Sequence, residues 1–255
     1  MAVLDDREVS LSPIVELRQY ILHPRKRDVL IDLFDREFIE TQEALGLRVI
    51  GQFRDLDDAD RFVWLRGFHD MERRGEGLRA FYDGPVWREH RAAANATMID
   101  SDNVLLLRPA RPASGFSPDL VRPEPAGAGV REDVVVAAVH HFAGRRVEAV
   151  VDFVEGALRP ALLALGANLL GYFVTEDTPN NFPRLPVRED AEVFVWFAGF
   201  ADAAAAEREV RGDGELSGSI PTPPAAGAPL QVLRLLPTSR SALNGSSRAC
   251  ATLRD

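Results

Sequence analysis

An internal repeat constrains the fold of this chain more than any other feature of the sequence. A gap-free shift of 120 positions places Gly46 on Gly166. Further along, the segment FVWLRGF at 62–68 recurs as FVWFAGF at 194–200. Self-similarity at a fixed spacing indicates that one structural unit occurs twice. We therefore expect a tandem duplication, with two copies of one fold in a single chain.

The first copy shows an alternation of strand and helix patterns. Residues 14–22 (IVELRQYIL) alternate between an apolar face and a face that carries Glu16, Arg18 and Tyr20, as expected for a strand. The other predicted elements are a helix over 25–45 that ends at Gly46, strands over 47–54 and 61–68, a helix over 71–82, a second helix that begins at Asp83-Gly84-Pro85, and a strand over 104–108. The order β-α-β-β-α-β is ferredoxin-like, an α+β arrangement with two helices on one face of an antiparallel sheet.

The two copies can bury each other's sheets. In the first copy, Tyr20, Phe62 and Trp64 are predicted on the sheet face that the helices leave open, which is too apolar for water. We expect two ferredoxin-like units whose sheets face each other as an α/β barrel, a pseudo-dimer within one chain, with a homodimer also possible. The predicted segments are a first domain over 14–109, a second over 133–237 with an insertion over 175–190, a loose leader over 1–12, a poorly packing linker over 110–132, and a disordered tail over 238–255.

Composition excludes several classes of function. A formal net charge of −9 and a pI near 5.2 argue against a nucleic-acid or an anionic-membrane surface. The acidic N-terminus differs from a signal peptide, and no apolar run reaches membrane-spanning length. The single cysteine, Cys250, fits a reducing cytoplasm. We expect a cytoplasmic protein whose partner is a small molecule.

Residues 84–103 form the densest group of polar and aromatic residues in the sequence. On a helix, the positions that share one stripe are Trp87, His90, Arg91, Ala94 and Asn95. Such a stripe either lines a polar pocket or has its polar groups engaged in structural hydrogen bonds. His90 could be a general base, because imidazole titrates near neutrality, or it could simply bind a neighbouring carbonyl.

The two halves differ at the positions that could carry chemistry. Arg18 and Arg66 could bind an anionic substrate or stabilise developing negative charge, or they could form a buried salt bridge with Glu16. In the second half, the positions of Glu16, Arg18, Tyr20, Arg66 and Gln52 are occupied by Val136, Ala138, His140, Ala198 and Tyr172, respectively. The first half is therefore predicted to hold the site. Its candidate catalytic residues are His90, Arg91, Arg18 and Arg66, and its candidate substrate-binding residues are Glu16, Tyr20, Gln52, Trp64, Trp87 and Asn95. No metal site is expected, because His140 and His141 point to opposite faces of a strand.

Three motifs in order, ELRQYIL, GQFRDLDDADRFVWLRGF and GPVWREHRAAANATMIDSDNVLLLRP, resemble the NIPSNAP family of dimeric α/β-barrel proteins. The resemblance covers about residues 14–109, and the second half is similar mainly through FVWFAGF. It implies a ferredoxin-like unit paired across its sheet. Relatives in the same superfamily include cofactor-independent monooxygenases, isomerases and haem enzymes.

Three functions remain open at this point. The first is a cofactor-independent enzyme for oxygenation, isomerisation or cyclisation, with proton abstraction by His90 in a first-half pocket. The second is a non-catalytic ligand-binding or scaffold protein. The third is a haem-binding barrel with His90 or His140 as the axial ligand. No other cofactor is expected.

Overall fold

The computed structural model describes residues 12–125, 129, 131–142, 146–211, 215–223 and 229–252. Most of the predicted leader, parts of the predicted linker and the last three residues of the predicted tail lie outside the described residues.

Eight antiparallel strands form one closed barrel. They are β1 (Ile14–Leu22), β2 (Arg48–Asp55), β3 (Arg61–Phe68), β4 (Met98–Pro109), β5 (Val134–His141), β6 (Asn168–Thr175), β7 (Val193–Phe200) and β8 (Gln231–Pro237). Their order around the barrel is β1-β3-β2-β8-β5-β7-β6-β4. The α+β fold class and the predicted barrel are therefore confirmed, and the strands form one closed sheet.

Helices cover the outside of the barrel. They are α1 (Arg27–Leu33), α2 (Ile39–Glu43), α3 (Met71–Tyr82), α4 (Pro85–Asn95), α5 (Val147–Phe153), α6 (Arg159–Ala164) and α7 (Ala203–Glu209). A π-helical turn joins α1 to α2 at Phe34–Phe38, and another joins α5 to α6 at Val154–Leu158. Gly46 follows α2 with φ of +77°, the left-handed conformation that glycine adopts without steric cost.

The interior of the barrel is apolar and contains the opposite sheet face from the one predicted. Its core cluster takes residues from all eight strands and none from the helices, and in β1 and β3 these residues are Val15, Leu17, Val63 and Leu65. Tyr20, Phe62 and Trp64 instead pack in a second cluster with residues of the helices. The prediction that these aromatic residues face the second sheet is wrong, because the helices cover them.

The strand after α4 is longer than predicted. It begins at Met98 rather than Val104, so that Asp100 and Asp102 lie on an exposed strand end. The helix itself follows the prediction, since Gly84 precedes it and Pro85 occupies its first turn.

Two short seams close the barrel. β2 pairs with β8 over three residues, Phe53 to Asp55, and β4 pairs with β6 over three residues, Leu107 to Pro109. Within the halves the pairing is longer, for example Ile14 to Ile21 of β1 along β3. The halves therefore contact each other through a minority of the sheet.

The chain that follows β4 reinforces the barrel, contrary to the prediction for the linker over 110–132. Phe116 and Leu120 are 1% and 7% exposed and join the interior cluster of the barrel. Ser114 Oγ donates to the carbonyl of Tyr172 on β6 at 2.8 Å. The linker packs because a few apolar residues among its Pro and Gly contact the interior cluster of the barrel.

The chain that follows β8 is also ordered, and the disordered-tail prediction for 238–255 is wrong for the described residues. Leu243 is 1% exposed, and its N–H donates to the carbonyl of Ile50 on β2 at 2.8 Å. Cys250 is 4% exposed, and its N–H donates to the carbonyl of Leu169 on β6 at 2.9 Å. The tail packs as irregular backbone without helix or strand. Such a segment has no periodic sequence pattern.

Candidate functional site

A buried carboxylate shared by three arginines lies between the first-half sheet and its helices. Glu16 on β1 is 0% exposed. Its Oε2 accepts from Arg18 Nη1 at 2.9 Å and from Arg66 Nη2 at 2.7 Å, and its Oε1 accepts from Arg74 Nε at 2.9 Å. The salt bridge that the sequence left as an alternative is therefore present. We call these four residues the arginine cluster.

The arginine cluster has more positive than negative charge. Among the described residues, Glu16 is the carboxylate with which Arg18, Arg66 and Arg74 form ion pairs. Burial alone would raise the pKa of Glu16, but the charges of the three guanidinium groups outweigh it and hold that pKa well below its usual range. Three cations therefore surround one anion, at a depth where charge is costly unless it is compensated.

An aromatic cavity lies next to the arginine cluster. It has a cleft of about 230 Å³ that opens to the surface and a narrow inner part of about 30 Å³. Four residues line both parts: Tyr20, Tyr82, Trp87 and Met98. The inner part ends at Gln42 and Trp64, where the guanidinium carbon of Arg66 lies 5.0 Å from the Trp64 ring centre. We call this space the first-half cavity.

A segment of the second half covers the mouth of the first-half cavity. Phe182 stacks on Tyr82 with ring centres 5.8 Å apart. Asn181 accepts from Arg74 Nη1 at 2.7 Å and donates to the carbonyl of Met71. The segment belongs to the insertion predicted over 175–190, so that insertion completes the wall of a cavity in the other half.

The polar residues of α4 do not join the arginine cluster. His90 Nε2 lies 3.5 Å from a carboxylate oxygen of Glu37, its ring packs against Phe38, and it is not among the residues that line the first-half cavity. Arg91 is exposed, so the predicted placement of Arg91 in a pocket with Arg18 and Arg66 is wrong. Asn95 does line the cleft at its mouth.

Gln52 belongs to a different polar cluster and not to the cavity. It donates from Nε2 to Asp35 Oδ1 at 2.7 Å, and its N–H donates to Ser241 Oγ of the tail at 3.1 Å. Asp35 lies in the π-helical turn between α1 and α2. Burial raises the pKa of Asp35 to about 6, although the hydrogen bond from Gln52 and the charges of two arginines oppose the rise.

Asp35→Asn should stabilise the protein above pH 6. The pKa of Asp35 is higher in the folded chain than its ordinary value of 3.8, so folding costs free energy once the carboxyl is ionised. We expect a gain of about 1–2 kcal/mol at pH 8, discounted for partial exposure, which declines through pH 6 and disappears near pH 4. Thermal unfolding at several pH values measures it, with the exposed Asp32→Asn as control. An equal effect of both variants at every pH would contradict the prediction.

The second half has no comparable charged cluster at the corresponding positions. Val136, Ala138 and Ala198 are fully buried in the apolar cluster between sheet and helices. His140 is also buried, and its Nε2 accepts from Trp196 Nε1 at 3.1 Å. Neither His140 nor His90 lines the first-half cavity, so neither of these two histidines is placed to ligate a haem there.

Neither a metal-binding cluster nor a membrane-spanning helix occurs in the part of the chain that the structure describes. No three His, Cys, Asp or Glu side chains within it are grouped so that they could hold a metal ion. None of its helices is long and apolar enough to cross a membrane.

Among known proteins, one family model matches part of this chain. Residues 15–113 match the NIPSNAP family model. The match spans β1 to β4 and contains all four members of the arginine cluster. The insertion that supplies Asn181 and Phe182 lies outside it. None of the curated proteins compared matches the chain.

Several solved structures are similar to part or all of this chain. An uncharacterised NIPSNAP-like domain protein from Burkholderia xenovorans is 28% identical with a TM-score of 0.34, covering 36% of this chain and 81% of that one. A proposed monooxygenase from Fusobacterium nucleatum has a TM-score of 0.55 at 8% identity over 95% of this chain and 99% of its own. Another, from Lactobacillus acidophilus, has a TM-score of 0.51 at 12% identity over 95% and 100%. At such identities the last two show the fold alone.

Several residues of the site were missed by the sequence reasoning. Arg74, Gln42 and Tyr82 lie on helices of the NIPSNAP region, while Asn181 and Phe182 come from the second half. An arginine in the stripe of α3 that faces the sheet was the available signal for Arg74, because a charged residue there needs a buried partner. Nothing local in the sequence indicates which helix a distant insertion will cover.

Proposed function

We propose that the first-half cavity is a site for a small aromatic molecule and that the protein acts on it without a cofactor. The observation that supports this is an aromatic cavity whose inner lining includes Trp64, and the Trp64 ring contacts Arg66 of the buried arginine cluster. Aromatic walls with a few polar groups are typical of small-molecule sites. Positive charge held at low dielectric would stabilise an enolate or a similar anion, which suits oxygenation, isomerisation or cyclisation.

The structural relatives are consistent with such a reaction class but do not choose within it. Two of them, with the same barrel, are described as proposed monooxygenases. Arg18 and Arg66 are our candidates for charge stabilisation, and Tyr20, Trp64, Trp87 and Asn95 for contacts with the substrate. A role for His90 would require it to act from outside the cavity lining, beside Glu37.

Non-catalytic binding is the second candidate, and the position of His90 favours it. Among the described residues that line the cavity, the carboxylate group belongs to Asp102 at the exposed mouth. Proton abstraction needs a base within hydrogen-bond reach of the substrate. A binding protein needs only the aromatic walls and the arginine cluster.

Ser101→Trp should block the first-half cavity. Ser101 lines the cleft at its mouth, so an indole there would fill the entrance without removing any buried group. We expect binding of small aromatic molecules to weaken at least about tenfold, while the melting temperature changes by only a few degrees. Ile99→Trp is the matched control, because Ile99 is 59% exposed on the same strand and does not line the cleft. Equal binding by both variants in calorimetric titrations would refute the assignment.

We also propose that the two halves, 14–109 and 133–237, descend from one duplicated unit and form a pseudo-dimer within the chain. The support is the recurrence of local irregularities. Both halves have a π-helical turn at the same offset, and both have a register shift next to a strand glycine, at Gly51 and Gly171. A cytoplasmic location is proposed on the single cysteine, Cys250.

A further inference from the structure

Two hydrogen-bond donors near the inner end of the first-half cavity have no partner among the described residues. They are Trp64 Nε1 and Arg18 Nη2, on side chains that are 2% and 0% exposed. The guanidinium carbon of Arg18 lies 5.5 Å from the ring centre of Trp64 and 5.5 Å from that of Tyr20. Leaving a buried donor unpaired costs about 1–3 kcal/mol. Such donors therefore indicate an acceptor from outside the chain.

The second half provides an internal comparison for Trp64. Its counterpart Trp196 donates from Nε1 to His140 Nε2 at 3.1 Å. The residue at the position of His140 in the first half is Tyr20, whose hydroxyl accepts from Arg18 Nε at 3.0 Å. The same indole is thus satisfied by the protein in the half without the charged cluster and unsatisfied in the half with it.

The charge of the arginine cluster indicates that the acceptor is an anion. Glu16 balances one of the three guanidinium groups that contact it, so a bound anion would lower the free energy of a buried excess of positive charge. Asn180 and Asn181, which also contact Arg74, are neutral amides and cannot serve that role.

We propose that the first-half cavity binds a small aromatic carboxylic acid, with its carboxylate at the inner end and its ring between the aromatic walls. This inference rests on the proposed function and names its ligand class. A carboxylate has two oxygens that can accept from the two unpaired donors, Arg18 Nη2 and Trp64 Nε1. The inner part of the cavity, about 30 Å³, favours a small head group. Tyr82 and Trp87 then contact the ring of the ligand.

Matched acid and amide pairs test the proposal on the intact protein. Phenylacetate and phenylacetamide form one pair, and 2-naphthoate and 2-naphthamide form another, measured by isothermal titration calorimetry at pH 7.5. Each pair keeps its shape and differs in charge. We expect the acid to bind at least about tenfold more tightly than its amide, the range of a charge-assisted hydrogen bond to a buried group. Equal affinities within both pairs would overturn the ligand class and leave the proposed function standing. No binding of any of the four would overturn both.

A tryptophan substitution locates the effect. Trp64→Phe removes one proposed donor but keeps an aromatic wall, and it should reduce the ratio of acid affinity to amide affinity several-fold. Trp196→Phe removes the equivalent indole in the second half and should leave the preference unchanged. An unchanged preference in Trp64→Phe would overturn the proposed role of that indole. The comparison of acid and amide on the unmodified protein remains decisive if Trp64→Phe does not fold.

Discussion

Replacing Glu16 by glutamine should be among the most destabilising single changes in the protein. The substitution removes the carboxylate that Arg18, Arg66 and Arg74 share, and three buried guanidinium groups then repel one another without compensation. Breaking a buried ion pair by removing one partner costs about 3–5 kcal/mol. For a domain of this size that corresponds to a fall in melting temperature of roughly 10 °C or more.

Glu40→Gln is the matched control for Glu16→Gln. Glu40 also pairs with an arginine, Arg240, but its side chain is 62% exposed, and exposed pairs contribute about 0–1 kcal/mol. The double variant Glu16→Gln/Arg66→Gln should be less destabilised than the sum of its single changes, because it removes one of the unpaired charges. Similar melting temperatures for Glu16→Gln and Glu40→Gln would show that the arginine cluster is not held together by Glu16.

Removing residues 239–255 should cause a loss of stability of similar size. The deletion exposes the surface that Leu243 and Cys250 cover, and it removes the hydrogen bonds from the tail to β2 and β6. Loss of one buried leucine side chain alone costs about 2–5 kcal/mol. We expect the melting temperature to fall by roughly 10 °C or more, or the protein to accumulate in the insoluble fraction.

Two point variants distinguish the loss of buried side chains from the effect of shortening the chain. Leu243→Ala should reproduce a large part of the effect. Arg248→Ala should be nearly neutral, because Arg248 is 78% exposed in its pair with Asp119. A truncated protein that melts within about a degree of the full chain would restore the disordered tail that composition suggests.

The predictions succeeded where one local pattern determines the structure. The strand over 14–22, the strand over 61–68 and the helix over 71–82 were predicted with the bounds observed, because each has a clear period. The predictions failed where the position of a residue depends on which other part of the chain packs against it. The sheet of the first half is buried on both faces, one by helices and one by the barrel interior, so the alternation in β1 and β3 could not say which face Arg18 and Trp64 occupy.

The candidate site was predictable in composition but not in assembly. Glu16, Arg18 and Arg66 were singled out as charged residues on predicted strands, and they do meet. His90 and Arg91 were grouped with them on helical spacing, but spacing along one helix does not say which neighbouring element the stripe contacts. The tail and the linker were missed because a segment without periodicity packs only against a surface that the rest of the chain has already formed.

The short seams of the barrel have a consequence for how the chain folds. Pairing of β2 with β8 joins Phe53 to Pro237, so the barrel cannot close until nearly the whole chain has been synthesised. Closing so long a loop costs conformational entropy before the β2–β8 contacts form, so this pairing is slow. The hairpin of β2 and β3 and the pairing of β1 with β3 can form earlier. A partly made chain therefore presents open strand edges at β2 and β4, which are sites for pairing with another chain. Pairing of β8 with β2 and of β6 with β4 removes those edges from contact with other molecules.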